Sequence, residues 1–146
     1  HDVDLLILTD RATSHSYLDS LCAKGFALAS DWHEANPMAR DVVMRLKHTS
    51  APDFPLDLIF ATSPLHKNAL DRRKLFDLHG TQVSVSSAED LILLKLSASR
   101  PRDFDDVMGI VGNASAPLDL DYLWSWAERL GLQSELHYVL ISAKRE

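Results

Sequence analysis

The sequence predicts an α+β protein in which a mixed β-sheet flanked by helices precedes a C-terminal helical portion. Apolar runs typical of strands alternate with helix patterns up to residue 85, and helix patterns alone follow from Ser86. The chain has 146 residues, of which 46% are hydrophobic, so it is long enough for one core with a helical extension. We therefore predict a core over residues 1–85 and a helical portion packed on it over residues 86–146.

The elements of the predicted core follow from local patterns. Helices are predicted at residues 13–24, where apolar residues recur at helical spacing ahead of Gly25, and at residues 64–73. Residues 31–40 contain Asn36-Pro37 and are predicted as a loop, and residues 50–53 as a turn. Strands are predicted at residues 3–9, 26–29, 41–48, 56–61, 75–78 and 82–85.

The helical portion carries start and stop signals. Ser86 and Glu89 have the spacing of a capping box ahead of an apolar run, and that helix is apolar on nearly every side, which predicts burial. Pro101 ends it and begins the next helix, and Gly131 follows a third. The four helices are expected at about 86–100, 101–112, 119–130 and 134–144.

Composition narrows the class of protein. A single cysteine, Cys22, excludes an internal disulfide and fits a reducing cytoplasm. An apolar span of membrane length is not visible, so we expect no membrane partner. A net charge of −6 disfavours broad nucleic-acid binding, which usually leaves a basic footprint. Because the chain opens on a strand pattern without an initiator Met, we expect an upstream portion of the core.

Two acids open the first predicted strand. In extended backbone Asp2 and Asp4 point to one face and Val3 to the other, with the two aspartate Cα atoms about 6.6 Å apart. Carboxylates this close repel each other unless a cation lies between them, and oxygen ligands favour Mg²⁺ or Mn²⁺. The alternative is a polar start of the strand in solvent.

A third acid, Asp57, interrupts the apolar strand 56–61. A buried carboxylate needs a cation, hydrogen bonds or a proton, and Asp57 would complete a three-carboxylate site if its strand lies beside the first. Such a site suits phosphoryl or nucleotidyl transfer, in which one aspartate can also accept the proton of the attacking hydroxyl. The alternative is an acid paired with Arg45 or Lys47.

Charged residues form a second cluster in the helical portion. Lys95 interrupts an apolar helix, and Arg102 has the planar geometry that binds phosphate. Asp103 and Asp106 share a helix face, from which they could orient Lys95 or Arg102. The alternatives are a lysine whose ammonium reaches water and a solvated first helical turn.

The three tryptophans are candidates for stacking on a base. Trp124 lies on the apolar stripe of its helix and is predicted to be core, whereas Trp126 falls off the stripe and is predicted to be partly exposed. Trp32 lies in the predicted loop.

Four segments together form an order that resembles a known superfamily. The segments are Asp2-x-Asp4-Leu5-Leu6, Leu56-Asp57-Leu58-Ile59, Ser87-Ala88-Glu89-Asp90-Leu91-Ile92-Leu93-Leu94-Lys95-Leu96 and Arg102-Asp103-x-x-Asp106. They resemble the nucleotidyltransferase-fold superfamily over nearly the whole chain, most of all the small bacterial proteins related to abortive-infection nucleotidyltransferase toxins. The third and fourth segments are the most specific part.

The resemblance implies a function and roles for the residues. It implies that Asp2, Asp4 and Asp57 are the catalytic metal ligands for Mg²⁺ or Mn²⁺, and that residues 1–85 form a nucleotidyltransferase-like core. Lys95, Arg102, Asp103 and Asp106 would contribute to nucleotide binding and site architecture. The superfamily also carries a glycine-serine turn upstream of the aspartate pair, a position that falls before His1.

The activity so implied is transfer of a nucleoside monophosphate from a nucleoside triphosphate to a hydroxyl. The acceptor would be tRNA, a protein side chain or a small molecule, and a cognate toxin or antitoxin partner is a further expectation. The alternative is a catalytically silent nucleotidyltransferase-like protein that acts by binding or as an antitoxin.

Overall fold

Six strands and seven α-helices build the α+β fold of the part of the chain that the computed structural model describes, which is residues 3–9, 14–39 and 41–143. The predicted fold class and mixed sheet are confirmed at this level. Contacts divide the chain into two compact units, His1–Lys67 and Asn68–Glu146. The change of composition at Ser86, predicted as a domain boundary, lies inside the second unit, and the predicted division at that point stays a prediction.

The first unit is a four-stranded sheet with three helices near it in sequence. Its elements are β1 (Val3–Ile7), α1 (Ser14–Cys22), β2 (Phe26–Leu28), α2 (Ser30–Ala35), β3 (Val43–His48) and β4 (Ala51–Phe60). A single 3₁₀ turn, Pro37–Ala39, follows α2, and α3 (Pro64–Asp71) crosses into the second unit.

The sheet has the strand order β1-β4-β3-β2, with β4 parallel to β1 and antiparallel to β3. Alternation along β4 explains its position at the centre of the sheet. Leu58 and Phe60 are buried on one face, and Leu46 of β3, which is fully buried, pairs with Leu56 on that same face. Asp57 therefore belongs to the opposite face.

Two local predictions in this unit are wrong. Residues 31–40 do not form a loop, because α2 and the 3₁₀ turn occupy most of them. Asn36-Pro37, taken as a loop signal, instead ends α2, and the Asn36 amide donates to the carbonyl of Trp32 at 2.8 Å. Strand β4 begins at Ala51, inside the predicted turn, after an irregular register between Leu46 and His48.

The second unit contains a hairpin and the four C-terminal helices; the sequence predicted these elements but grouped the hairpin strands with the core over residues 1–85. The strands β5 (Lys74–Leu78) and β6 (Thr81–Val85) are antiparallel. Their two-residue connection places both His79 and Gly80 at positive φ, which is the geometry that favours glycine in such turns. The helices are α4 (Ala88–Ala98), α5 (Pro101–Gly112), α6 (Leu120–Leu130) and α7 (Gln133–Ser142).

The core of the second unit lies among these helices. Its fully buried apolar residues are Ile92, Leu93, Leu96, Val107, Leu123, Ala127, Leu136 and Val139. The prediction that Trp124 belongs to the core is wrong, since 36% of it is exposed, and Leu123 and Ala127 of α6 are buried instead. Trp126 is half-buried, as predicted, beneath the guanidinium of Arg129. Among the described helices, none is long and apolar enough to cross a membrane.

The predicted cap of α4 is wrong by one residue. Ser87, not Ser86, is the N-cap, and its hydroxyl accepts the backbone N–H of Asp90 at 3.1 Å. The same hydroxyl donates to the Asp90 carboxylate at 2.7 Å, so the N-cap residue and the acid three residues after it are Ser87 and Asp90 rather than Ser86 and Glu89.

Candidate functional site

Two of the predicted metal ligands lie side by side in the sheet. Asp4 of β1 is the register partner of Asp57 of β4, and the two strands are parallel, so both side chains leave the same face. Neighbouring strands lie about 4.8 Å apart, which is within reach of two carboxylates that share a cation. Asp4 is exposed and Asp57 is buried. Asp2 lies outside the described residues.

Asp57 already has a cationic partner on its other side. Arg45 of β3 is its register partner, and the guanidinium donates from Nε to Oδ1 at 2.6 Å and from Nη2 to Oδ2 at 2.5 Å. The two side chains are only 18% and 10% exposed, so this is a partly desolvated, two-point ion pair. The alternative interpretation of Asp57, pairing with Arg45, is therefore the arrangement that the structure has.

Arg45 is also fixed by α2. Its guanidinium carbon lies 4.6 Å from the centre of the Trp32 ring, a cation–π contact. Its backbone N–H donates to Nε2 of His33 at 3.1 Å, and its carbonyl accepts the N–H of Ala29 at 3.0 Å. Strand β2 ends at Leu28, opposite Leu46, so His33 and Ala29 replace a neighbouring strand as partners of the Arg45 backbone. The sequence prediction missed both His33 and the Trp32–Arg45 contact, because residues 31–40 had been interpreted as a loop.

The donor set on this face fits a hard divalent cation. Asp4 and Asp57 supply carboxylate oxygens, the ligand type that Mg²⁺ and Mn²⁺ prefer. An ionised carboxylate has about four acceptor positions, of which Arg45 takes two on Asp57. In residues 3–9, 14–39 and 41–143, acids, histidines and cysteines do not form any group of three that could hold a metal ion. A cation here would therefore bind two described ligands and share Asp57 with Arg45.

In the second unit, Lys95 and Asp106 form one of the contacts that the sequence suggested. Lys95 Nζ donates to Asp106 Oδ2 at 2.6 Å between α4 and α5. This hydrogen bond holds the pKa of Asp106 below its ordinary value, with smaller contributions from the charges of Lys95, Arg102 and Arg100. The Lys95 side chain is 26% exposed, so its stem is packed and its ammonium lies near the surface.

Asp103 has a different partner from the one considered. It is buried at the start of α5, where it accepts the Nε–H of Arg100 at 2.8 Å and the backbone N–H of Arg100 at 3.3 Å. Arg102 is exposed, and the pairing of Asp103 with Arg102 is not the one present. Asp103 therefore stabilises the start of α5, which is the role of an N-terminal capping acid.

The sequence prediction missed the most buried polar network of the second unit. Asp90 is fully buried and accepts hydrogen bonds from Ser87, from the Tyr122 hydroxyl, from Asn68 at 3.4 Å and from Arg72 at 3.2 Å. Asn68 also donates to the Tyr122 hydroxyl at 2.5 Å. Only Ser87 is close to Asp90 in sequence, so the capping-box spacing was the one signal available.

The charges in this network explain two pKa shifts. Burial raises the pKa of Tyr122, and the hydrogen bond to the Asp90 carboxylate raises it further. Burial alone would lower the pKa of Arg72, but the hydrogen bond and charge of Asp90 outweigh it and raise the pKa. The Arg72 guanidinium also lies 3.9 Å from the centre of the Tyr122 ring. The buried Asp90 thus has a guanidinium and a phenol hydroxyl as hydrogen-bond partners, which is a structural arrangement rather than an acid–base pair.

A shallow cleft lies elsewhere in the first unit. Its volume is ≈ 410 Å³, and it is found where the parallel strands β1 and β4 end. Neither Asp4 nor Asp57 lines it. Its lining residues are Leu8, Thr9, Asp41, Phe60, Ala61, Thr62 and Lys67.

Comparison with known proteins adds no assignment. No protein-family model matches the chain, and no curated protein matches it either.

Proposed function

We propose that this protein is a divalent-metal-dependent nucleotidyltransferase. The observation that carries the proposal is the parallel pairing of β1 with β4, which sets Asp4 beside Asp57 on one face of a mixed sheet. The order of the acidic strands, the Lys95 helix and the Arg102-Asp103-x-x-Asp106 segment along the chain supports the same assignment. The nucleotidyltransferase-like fold, Mg²⁺ or Mn²⁺ and a nucleoside triphosphate are parts of this proposal.

The reaction would move a nucleoside monophosphate. An acceptor hydroxyl oxygen attacks the α-phosphorus and forms a new P–O bond, while the bond from that phosphorus to the bridging oxygen breaks and pyrophosphate leaves. The hydroxyl proton passes to a carboxylate, and Asp4 is the more exposed of the two described acids. A bound divalent cation supplies neutralisation of the charge that develops on the phosphate oxygens.

The remaining residues would position the reactants. Arg45 fixes the rotamer of Asp57 by donating a hydrogen bond to each of its carboxylate oxygens. A contact of Lys95 and of Arg102 with nucleotide phosphate, which the resemblance implies, stays a prediction; Lys95 is bound to Asp106, and Arg102 is exposed. Asp103, which binds Arg100, contributes through the start of α5 and not through a contact to the nucleotide.

Transfer of labelled nucleotide tests this function directly. The chain is incubated with Mg²⁺ and each of the four α-labelled nucleoside triphosphates, together with total cellular RNA and protein as acceptors. We expect incorporation that falls roughly 100-fold or more in Asp57→Asn and Asp4→Asn, the scale on which losing one charge-stabilising group slows a reaction. Asp53→Asn, an exposed acid on the same strand β4, is the matched control and should retain transfer.

Two outcomes of the transfer assay would contradict the nucleotidyltransferase assignment. Absence of incorporation with any nucleotide, or incorporation that Asp57→Asn and Asp53→Asn reduce to the same extent, removes the assignment. The same preparations would be checked by circular dichroism, so that a loss of transfer is not mistaken for a loss of fold.

One observation favours a second candidate, a catalytically silent nucleotidyltransferase-like protein that binds a nucleotide or acts as an antitoxin. Arg45 already neutralises Asp57, which is what a site without a metal ion would require. Calorimetric titration with Mg²⁺ and each triphosphate separates the two candidates. The enzyme requires Mg²⁺-dependent nucleotide binding that Asp4→Ala weakens, whereas nucleotide binding indifferent to both Mg²⁺ and Asp4 supports the silent protein.

A further inference from the structure

Arg45 occupies a central position in the row of charges on this face. Register pairs run from Asp4 through Asp57 to Arg45 across three adjacent strands. The guanidinium of Arg45 lies against Asp57 on one side and over the Trp32 ring on the other. If an Asp57 oxygen binds another partner, Arg45 loses a hydrogen bond, and the position of its guanidinium over the Trp32 ring changes.

A divalent cation and Arg45 compete for the same carboxylate. A cation held by Asp4 and Asp57 would lie within a few ångströms of a guanidinium that has little solvent to screen it, since the Arg45 side chain is 18% exposed. Both positive groups favour the same oxygens of Asp57, so each weakens the binding of the other.

Both backbone hydrogen-bonding groups of Arg45 have partners outside the sheet ladder. His33 and Ala29 bind its N–H and its carbonyl, and these bonds tie α2 to β3. The side chain has rotatable bonds and a second favourable neighbour in the Trp32 ring. Release of Asp57 therefore requires rotation of the guanidinium, without movement of the strand.

We propose that Arg45 is a positioning residue that exchanges with a divalent cation at Asp57, so that Trp32 senses the occupancy of the metal site. This inference rests on the proposed metal-dependent function. Arg45 holds Asp57 in place while no cation is bound, and it yields at least one of its two hydrogen bonds when Asp57 and Asp4 bind one.

Fluorescence of Trp32 reports the exchange. Trp124 and Trp126, both in the second unit, are replaced by phenylalanine in the full chain, so that emission comes from Trp32 alone. Titration with Mg²⁺ at about pH 8, where carboxylates are ionised, should then give a saturable change in emission. The midpoint should agree with the dissociation constant from calorimetry. Asp57→Asn in the same background should abolish the change.

Affinity measurements test the competition itself. Arg45→Gln should bind Mg²⁺ about 10-fold more tightly than the parent, because the competing charge is gone, equivalent to about 1.4 kcal/mol. Arg45→Lys keeps the positive charge but loses the planar guanidinium, so its Mg²⁺ affinity should lie between those of the parent and Arg45→Gln. Lys47→Gln is the matched control, because it also removes one positive charge. Lys47 is exposed and lies two residues after Arg45 on the same strand β3. It should change the affinity less than threefold or so.

The results separate this inference from the proposed function. Mg²⁺ binding to the parent with a constant Trp32 emission, or with unchanged or weaker binding in Arg45→Gln, contradicts the exchange and leaves the enzyme standing. An equal gain in Lys47→Gln shows a general charge effect and also contradicts it. Lack of Mg²⁺ binding to the parent at millimolar concentration removes both, whereas binding with the Trp32 response but without nucleotide transfer removes only the enzyme. If Arg45→Gln does not fold, the Trp32 emission of the protein with native Arg45 and the Mg²⁺ affinity of Arg45→Lys still test the exchange.

Discussion

At the scale of a single residue, Asp57 shows how a carboxylate can be both buried and paired. Burial of a carboxylate is costly unless it is paired, and Arg45 pairs it through both oxygens. The sequence indicated that Asp57 needed a partner and named Arg45, Lys47 or a cation. It did not decide among them, because the choice depends on the register of β3 against β4, a long-range property.

Residues whose partners are distant in sequence were the least predictable. Asp90 is the clearest case, since Asn68, Arg72 and Tyr122 reach it from other elements. The pair of Lys95 and Asp106, on consecutive helices, was one of the alternatives that the sequence left open, because Asp103 and Asp106 share a helix face. Contacts within about one helical turn or one connection leave a sequence signal, and contacts set by packing do not.

The Tyr122 hydroxyl should make a measurable contribution to stability. It donates to the fully buried Asp90 and accepts from Asn68, so Tyr122→Phe leaves both groups short of a partner. We expect a loss of about 1–3 kcal/mol in the free energy of unfolding, measured by urea denaturation. Tyr138→Phe is the control, because Tyr138 is 57% exposed, and it should stay within about 0.5 kcal/mol. Equal effects in the two variants would show that the Asp90 network is not stabilising.

At the scale of the elements, helices and strands followed the sequence closely except at the short helix α2 and at the start of β4. The four C-terminal helices begin and end within two or three residues of the predicted positions, because proline, glycine and capping residues mark their ends. Helix α2 has six residues, too few for a clear helical period, and a capping side chain does not mark its start. Asn36-Pro37 marks the end of this short helix and not a loop through residues 31–40.

Two glycines in the helical portion should respond oppositely to alanine. Gly131 ends α6 with φ of +70°, in the left-handed region, and its N–H closes the helix on Ala127 and Glu128. Gly131→Ala should therefore destabilise by about 1 kcal/mol. Gly109 lies within α5 with open space where a Cβ would be, so Gly109→Ala should stabilise by about 0.4–1 kcal/mol. Thermal unfolding of both variants checks the pair, and a shift in the same direction would contradict it.

Glu89 links α4 to the start of α6 and should make stability depend on pH. Burial alone would raise the pKa of Glu89, but hydrogen bonds from its own backbone N–H and from that of Asp119 hold it below the ordinary 4.5. The contribution is therefore present above about pH 4.5 and is lost as the pH falls through the lowered pKa of the folded state.

The variant Glu89→Gln removes this titration. At neutral pH it should cost about 0.3–1 kcal/mol, the usual value of an acid near a helix N-terminus, and the difference from the parent should vanish in acid. Urea denaturation between about pH 7 and pH 3 measures it. Glu135→Gln, another first-turn acid, controls for the loss of one charge. A difference that persists at the acid end would show that Glu89 acts through packing instead.

At the scale of the whole molecule, the sequence predicted the class of fold, and the order of its strands came only from the structure. Periodicity identifies a strand, but it does not say that β4 lies between β1 and β3. That order decides the candidate site, because it places Asp4 and Arg45 on either side of Asp57. The chemistry proposed for the acids was thus available from sequence, whereas the choice of Arg45 over Lys47 as the partner of Asp57 required the register of β3 against β4.

The second unit has the core expected of a part that folds by itself. Asn68–Glu146 contains eight apolar residues with 0% exposure and every residue of the Asp90 network, although the fragment begins within α3. We predict that the fragment Asn68–Glu146 folds cooperatively, with the helical circular dichroism spectrum that α4 to α7 require. Within it, Leu93→Ala should cost about 2–5 kcal/mol, as large-to-small changes in a core do, which is enough to unfold a unit of this size. Leu130→Ala, at a position 38% exposed, is the matched control and should leave the fragment folded. A fragment without a cooperative transition would mean that this core needs residues His1–Lys67 in order to form.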